Sequence, residues 1–165
     1  MKPRAITDLP GVHWVDDYHE GRAWFMRYDP LLGNLYGFMD RKQRVVVAPI
    51  FGKLTAYSEG LAAFRSAEPG SKGWGFIDRR GRVVISPQFY DVTDGFKGGL
   101  CAVLRTGESH YGYIDKKGVF AIKPQFTLAF PFGDRRAKVA LDGQFYFIDK
   151  RGRIVTQAIC SYRGV

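Results

Sequence analysis

Three features of the sequence predict an all-β repeat fold. Four blocks of sixteen residues align without a gap, and their aligned aspartates are separated by 38, 37 and 34 residues. In these blocks, apolar residues alternate along short segments on either side of a turn signal, a pattern typical of β-hairpins. Aromatic residues make up 15% of the chain beside 20 glycines, which favours sheets and turns over long helices. The blocks are residues 36–51, 74–89, 111–126 and 145–160.

The second block shows how each hairpin is expected to form. Trp74-Gly75-Phe76-Ile77 has the alternation of a strand, and Asp78-Arg79-Arg80-Gly81 places a glycine where a type I turn needs a left-handed residue. The returning strand is β-branched, and Pro87 is expected to mark its end or a sheet edge because proline donates no backbone hydrogen bond. A preceding strand near Leu61 completes a three-stranded antiparallel meander.

Such a meander cannot cover its own apolar face, so neighbouring repeats must cover it. We therefore expect a single repeat domain over residues 1–165, either an open solenoid-like stack or a ring closed by pairing of the first strand with the last repeat. The array has three complete repeats and a partial repeat at each end. The predicted boundaries are residues 1–19, 20–58, 59–97, 98–132 and 133–165.

Two departures from the repeat pattern are informative. Gln43 replaces the turn glycine of the first block, which predicts a strained left-handed residue at a cost on the order of 1 kcal/mol. In the fourth block, Tyr146 and Ala158 replace a glycine and the proline. The last repeat is thus the most divergent, as expected of a cap.

These motifs resemble the bacterial WG repeat, also called the KWG repeat. The resemblance covers about residues 18–160 and is carried by the turn block at residues 74–81, by Pro87-Gln88-Phe89 and by Glu59-Gly60-Leu61-Ala62. It implies a bacterial β-repeat protein from a family regarded as a binding or scaffolding architecture. It implies no catalytic motif that can be transferred to positions in this chain.

The positive charge concentrates in the hairpin turns. The chain has a formal net charge of +9, and eleven of its 25 basic residues lie in these turns. If the repeats stack in register, the turns form a basic ridge that can follow a phosphate backbone or an acidic protein surface. A simpler interpretation is that basic residues suit solvated turns whatever the function. The basic turn residues are Arg41, Lys42, Arg44, Arg79, Arg80, Arg82, Lys116, Lys117, Lys150, Arg151 and Arg153.

Most aromatic residues recur once per repeat and are therefore interpreted as inter-repeat core. Because the basic turns are not interleaved with free aromatics, the pattern weighs against stacking on nucleic-acid bases. Trp14, Trp24 and Phe25 lie outside the recurring positions and are freer to have a function, and Trp14 and Trp24 are the two that could instead cap an end. The recurring positions are Tyr36, Trp74, Tyr111 and Phe145; Phe38, Phe76, Tyr113 and Phe147; Phe51, Phe89 and Phe126; and Tyr18, Tyr57, Phe96 and Phe132.

No pattern in the sequence predicts an enzyme, a cofactor or a metal site. The recurring aspartates are interpreted as turn residues that accept backbone hydrogen bonds. The three histidines lack a second ligand at metal spacing, and Ser109 and His110 point apart if their segment is extended. The glycine-rich segments do not have the spacing of a phosphate-binding loop.

The cysteines and the apolar patterning indicate a cytoplasmic protein. Cys101 and Cys160 are too few for a disulfide framework and are interpreted as packing residues. The first fifteen residues do not resemble a secretory signal, and no stretch approaches the roughly 20 apolar residues of a membrane-spanning helix.

The resulting prediction is a non-enzymatic protein-interaction module, acting as an adaptor, an inhibitor or an immunity-type binder. It would bind an acidic protein surface through the basic turns or through loops that differ between repeats. The alternative is a nucleic-acid-binding protein that uses the same turns. The variable loops are residues 28–34, 68–72 and 106–109.

Overall fold

The computed structural model describes residues 11–71 and 73–158, and every regular element within them is a β-strand. Each hydrogen-bonded strand pair is antiparallel and joins strands that are consecutive in sequence. The chain forms two compact units, Met1–Gln88 and Phe89–Val165. In the part of the chain that is described, no helix has the length and apolar character to cross a membrane.

The first unit contains a meander of strands β1 to β6 and most of β7. The strands are β1 (Val12–Val15), β2 (Arg22–Asp29), β3 (Gly33–Asp40), β4 (Val45–Leu54), β5 (Leu61–Ser66), β6 (Trp74–Asp78) and β7 (Val83–Val92). Among the described residues, β1 has β2 as its only hydrogen-bonded neighbour.

The second unit begins with the end of β7 and continues the same pattern of hairpins. Its strands are β8 (Cys101–Arg105), β9 (Tyr111–Ile114), β10 (Phe120–Phe126), β11 (Leu128–Ala129), β12 (Ala137–Leu141), β13 (Gln144–Ile148) and β14 (Ile154–Gln157). Strands β11 to β14 form a four-stranded sheet in which β14 is an outer strand within the described residues. The prediction of an all-β array of antiparallel meanders is confirmed, and neither sheet closes on itself within residues 11–71 and 73–158.

The returning strands are longer than the sequence predicted. Strand β4 pairs with β3 through Val47 and Phe51, and its last residues pair with β5. Pro87 lies in the middle of β7, so the expectation that it ends the strand is wrong. Between Val47 and Phe51, β4 has two more residues than the facing part of β3, and this bulge accommodates Pro49, which has no backbone donor for the ladder.

Within each unit, consecutive repeats share a core. Phe76 and Ile77 are adjacent in sequence, so their side chains point to opposite faces of the strand. Both are fully buried, so both faces of the meander are covered at this point. Ile77 packs into a cluster with Phe38, Val47 and Tyr57 of the preceding repeat. In the second unit, Ile148 joins Tyr113, Ile122, Phe126 and Phe132 in the same way.

One recurring aromatic position lies at the edge of this core. The residue that opens each block is only half-buried, and one of these residues, Tyr111, packs against the core of the second unit from that edge. At the rim of the sheet these residues also contact other rings or cations: Trp24 meets Tyr36 edge-on at 5.5 Å, and Lys138 lies 4.3 Å from the ring centre of Phe145. Phe25, which lies outside the recurring positions, is buried at 2% exposure, whereas Trp14 is 60% exposed.

Candidate partner-binding surface on the hairpin turns

The four basic turns have the same backbone geometry. In the second, the Asp78 carbonyl accepts a hydrogen bond from the Gly81 N–H, and its Oδ1 accepts from the N–H groups of Arg80 and Arg82 at 2.8 and 3.0 Å. The same two side-chain bonds form in the other turns at 2.8–3.0 Å. The aspartates are Asp40, Asp78, Asp115 and Asp149, and their predicted turn role is confirmed.

The glycine of each turn adopts the left-handed conformation that the sequence predicted. Gly81 has φ of 78°, Gly118 of 83° and Gly152 of 78°. Gln43 stands in the same place with φ of 59°, so the predicted strained residue is present in the first turn.

The last basic residue of three turns folds back onto the turn aspartate. Arg44, Arg82 and Arg153 reach Oδ2 of their own aspartate at 2.7, 2.6 and 2.7 Å. The hydrogen bond from the Arg44 side chain holds the pKa of Asp40 below its usual value, and at Asp149 the backbone N–H of Arg153 has the largest such effect. These paired arginines largely cancel the turn aspartates, so they add little net charge to the surface.

The first basic residue of a turn reaches back to the preceding repeat. The Arg41 guanidinium lies 5.5 Å from the ring centre of Tyr18. Arg79 donates to Glu20 at 2.5 Å, and the same Glu20 oxygen accepts from the Gly60 N–H at 3.0 Å. Burial alone raises the pKa of Glu20, but these hydrogen bonds outweigh burial and hold that pKa below its usual value. Lys150 follows the same course in the second unit and lies against Gly98.

The second basic residue of each turn points to solvent. We call this set the outer cations. Their side chains are exposed, and none has an ion-pair or hydrogen-bond partner among residues 11–71 and 73–158. The outer cations are Lys42, Arg80, Lys117 and Arg151.

Each unit brings two basic turns together. Gly81 of the second turn packs against Val47, because a β-carbon on Gly81 would lie 3.1 Å from the Val47 side chain. Val47 follows the last residue of the first turn by three residues, which is roughly 10 Å along a strand. In the second unit, a β-carbon on Gly152 would lie 2.8 Å from the Ile122 side chain, which occupies the corresponding position. The structure therefore places the basic turns in adjacent pairs, as stacking in register requires.

The predicted variable loops have different sizes from those expected. Most of residues 28–34 belongs to the β2–β3 hairpin, where Tyr28 pairs with Asn34, and Leu31 at its tip is 94% exposed. Residues 68–70 are exposed, Ser71 is half-buried, and Lys72 lies outside the described residues. Residues 106–109 are all exposed.

Outside the basic turns, the residues considered for chemistry are Ser109, His110 and the two cysteines. Ser109 and His110 lie in a loop rather than a strand, so their side chains do not point apart as expected: Oγ and Nδ1 are 2.9 Å from each other, both exposed to solvent. Cys101 is 1% exposed, which confirms its packing role, while Cys160 lies outside the described residues. Within residues 11–71 and 73–158 no three histidine, cysteine, aspartate or glutamate side chains are grouped for a metal.

The family match follows the same hairpin register. The WG containing repeat matches the chain three times in succession, at residues 36–66, 74–107 and 111–144, and each match begins at the aromatic that opens a block. The chain belongs to the WG-repeat family. In this WG-repeat protein, the Trp-Gly pair at Trp74 and Gly75 starts a strand whose glycine allows the bulge of the returning strand to approach. A comparison with curated proteins of described function finds no match.

Sequence reasoning missed the role of Glu20. Glu20 bridges two consecutive repeats through Gly60 and Arg79. The signal that could have revealed it is charge complementarity between an acidic residue and a turn cation of the next repeat.

Proposed function

We propose that this WG-repeat protein is a non-enzymatic, cytoplasmic protein-interaction module that binds an acidic protein surface through its basic turns. The observation that carries the proposal is the set of outer cations, Lys42, Arg80, Lys117 and Arg151. Each is exposed on a turn whose backbone is held by an aspartate, so a cation is presented from a defined framework. Rigid presentation of charge gives selectivity and fast association with a partner of opposite sign.

The turn framework separates charges used for folding from charges available for binding. The paired arginines are committed to their own aspartates, and Arg79 is committed to Glu20. Replacing Arg79, Arg80 and Arg82 together would therefore disturb the turn as well as the surface. The outer cations are the better target because only their backbone N–H groups, which any residue but proline supplies, take part in the turn.

The test begins with capture of partners from a lysate of the source organism by tagged protein, with nuclease and at two salt concentrations. The captured protein is then measured against a variant with Lys42, Arg80, Lys117 and Arg151 all changed to Gln. The matched control loses the same number of charges at exposed positions outside the turns, Arg27, Lys53, Lys97 and Lys123, again by change to Gln.

We expect a discrete acidic protein that is retained after nuclease and released by salt. Its affinity should fall by about tenfold or more in the turn variant and by about threefold or less in the control, since both lose the same net charge but only one loses the contact. Equal losses in the two variants would remove the basic turns from the binding surface. Recovery of nucleic acid alone, lost at high salt, would replace this proposal with phosphate-backbone binding.

A further inference from the structure

A carboxylate-binding contact is built between two consecutive repeats of the first unit. In the first unit the Glu20 carboxylate is held by the Gly60 N–H and by the Arg79 guanidinium. Glu20 lies in the tight turn that precedes β2, with φ of 50°, and Arg79 is the first basic residue of the following repeat's turn. The contact therefore consists of an acid from one repeat and a cation from the next.

The second unit repeats this arrangement without the acid. Lys150 stands at the position of Arg79, and Gly98 stands at the position of Glu20, with φ of 63° in place of 50°. A β-carbon on Gly98 would lie 2.9 Å from Lys150 Nζ, so the lysine does reach the place from which the acid is missing. Within the described residues, Lys150 has no carboxylate at ion-pair distance.

An open groove of about 350 Å³ lies beside Lys150. Four cations and two aspartates line it, and one aspartate, Asp149, is already paired with Arg153 at 2.7 Å. The remaining charges leave the groove positive, and Arg135 on its wall occupies the aligned position of Gly60. The lining residues are Asp134, Arg135, Asp149, Lys150, Arg151 and Arg153.

We infer that this groove binds a carboxylate side chain, an Asp or Glu of a partner protein, at the place that Glu20 takes in the first unit. The inference rests on the proposed function and names one contact of it. An ammonium group beside an open, positive groove attracts an anion, and a second cation on the wall adds a further hydrogen-bond donor. Gly98 contributes no side chain of its own, and the Lys150 Nζ that lies beside it is the end of a flexible side chain that can turn toward a bound acid.

The first test uses a small probe in place of the unidentified partner. The peptide acetyl-Gly-Glu-Gly-amide is titrated into the ¹⁵N-labelled full chain, with acetyl-Gly-Gln-Gly-amide as the uncharged match. We expect amide shifts confined to the neighbourhood of Gly98, Arg135 and Lys150, for the Glu peptide alone, with a dissociation constant on the order of millimolar. Shifts that are equal for both peptides, or absent from these residues, would overturn the inference.

Two pairs of variants sharpen the test. Gly98→Glu returns the missing acid to the chain and should abolish the peptide-induced shifts. Gly98→Gln must adopt the same positive φ but carries no charge, so it should leave at least half of the response. Gly98→Glu should also unfold at a higher temperature than Gly98→Gln. Lys150→Gln should weaken peptide binding by about fivefold or more and Lys117→Gln by less than twofold. Identical behaviour within both pairs would contradict the inference.

These measurements need no partner, so they fail independently of the proposed function. A negative peptide titration together with a partner that still depends on the outer cations would reject the groove and retain the interaction module. A positive titration without any captured protein would retain the groove and reject the module.

Discussion

Gly75 and Pro87 form one structural device, since the bulge around the proline approaches the glycine too closely for any side chain. A β-carbon on Gly75 would lie 2.5 Å from the Ile85 carbonyl oxygen and 2.9 Å from the Pro87 nitrogen. The first and third blocks repeat the relationship: a β-carbon on Gly37 would lie 2.8 Å from the Pro49 nitrogen, and one on Gly112 would lie 2.8 Å from the Pro124 nitrogen. In the fourth block Tyr146 and Ala158 replace both partners, and β13 and β14 pair with a shift of one residue only.

Gly75→Ala should destabilise the chain by about 2–4 kcal/mol, because the added methyl group forces the strand and the bulge apart. Urea unfolding followed by circular dichroism measures the change. Gly133→Ala is the matched control, as the nearest atom to its β-carbon would be 3.6 Å away and its φ is ordinary. Its effect should stay within about 0.5 kcal/mol. Similar losses at the two glycines would refute the close approach.

Gln43→Gly should stabilise the chain by about 0.5 kcal/mol. Relief of the left-handed strain, roughly 1 kcal/mol, exceeds the backbone entropy that glycine adds to the unfolded chain. The midpoint of chemical unfolding reports the gain. Gln43→Ala keeps the positive φ of 59° and should bring no gain, which separates backbone strain from the loss of the glutamine side chain.

Stability should fall in acid through the turn aspartates. The pKa of Asp40 and that of Asp149 are lowered by hydrogen bonds from arginine, so each carboxylate contributes stability that is complete above the unfolded value of about 3.9. That stability disappears as the pH falls through the lower pKa of the folded state. Thermal unfolding followed while the pH is lowered from about 6 measures the loss.

The acid dependence should be shallower when Asp40, Asp78 and Asp149 are changed to Asn. A control with Asp17, Asp94 and Asp142 changed to Asn removes three carboxylates outside the basic turns. It should keep the acid dependence of the unaltered chain. If the two variants have the same pH profile, the turn carboxylates do not carry the effect.

The Cys101 thiol should react with a disulfide reagent only after unfolding. The Cys101 side chain is 1% exposed, so the reagent cannot reach the sulfur in the folded chain. Burial also raises the pKa of this thiol, so little of the reactive thiolate forms before unfolding. The rate of thiol labelling is measured in a Cys160→Ser variant, in which Cys101 is the single cysteine. Labelling at the rate of a free thiol in the absence of denaturant would contradict the buried position.

Local chemistry made much of the fold predictable. The Asp-x-x-Gly turns, the left-handed Gln43 and the antiparallel hairpins follow from preferences that act within a few residues. The course of β7 beyond Pro87 was not predictable in that way, because proline ordinarily ends a ladder and only the facing Gly75 makes room for the bulge. The half-buried rim aromatics escaped prediction for a related reason: recurrence reveals a shared environment and not the degree of burial.

The sequence predicted the candidate surface as a set of basic turn residues, and the structure showed which contacts each of these residues makes. The sequence by itself determined that basic residues recur in every turn, since composition and repeat spacing are readable along the chain. Only the tertiary structure decided which of them fold back onto an aspartate, which reach the preceding repeat and which face solvent. Those distinctions depend on distances between residues as far apart in sequence as Glu20 and Arg79, and electrostatic pairing acts through space rather than along the chain.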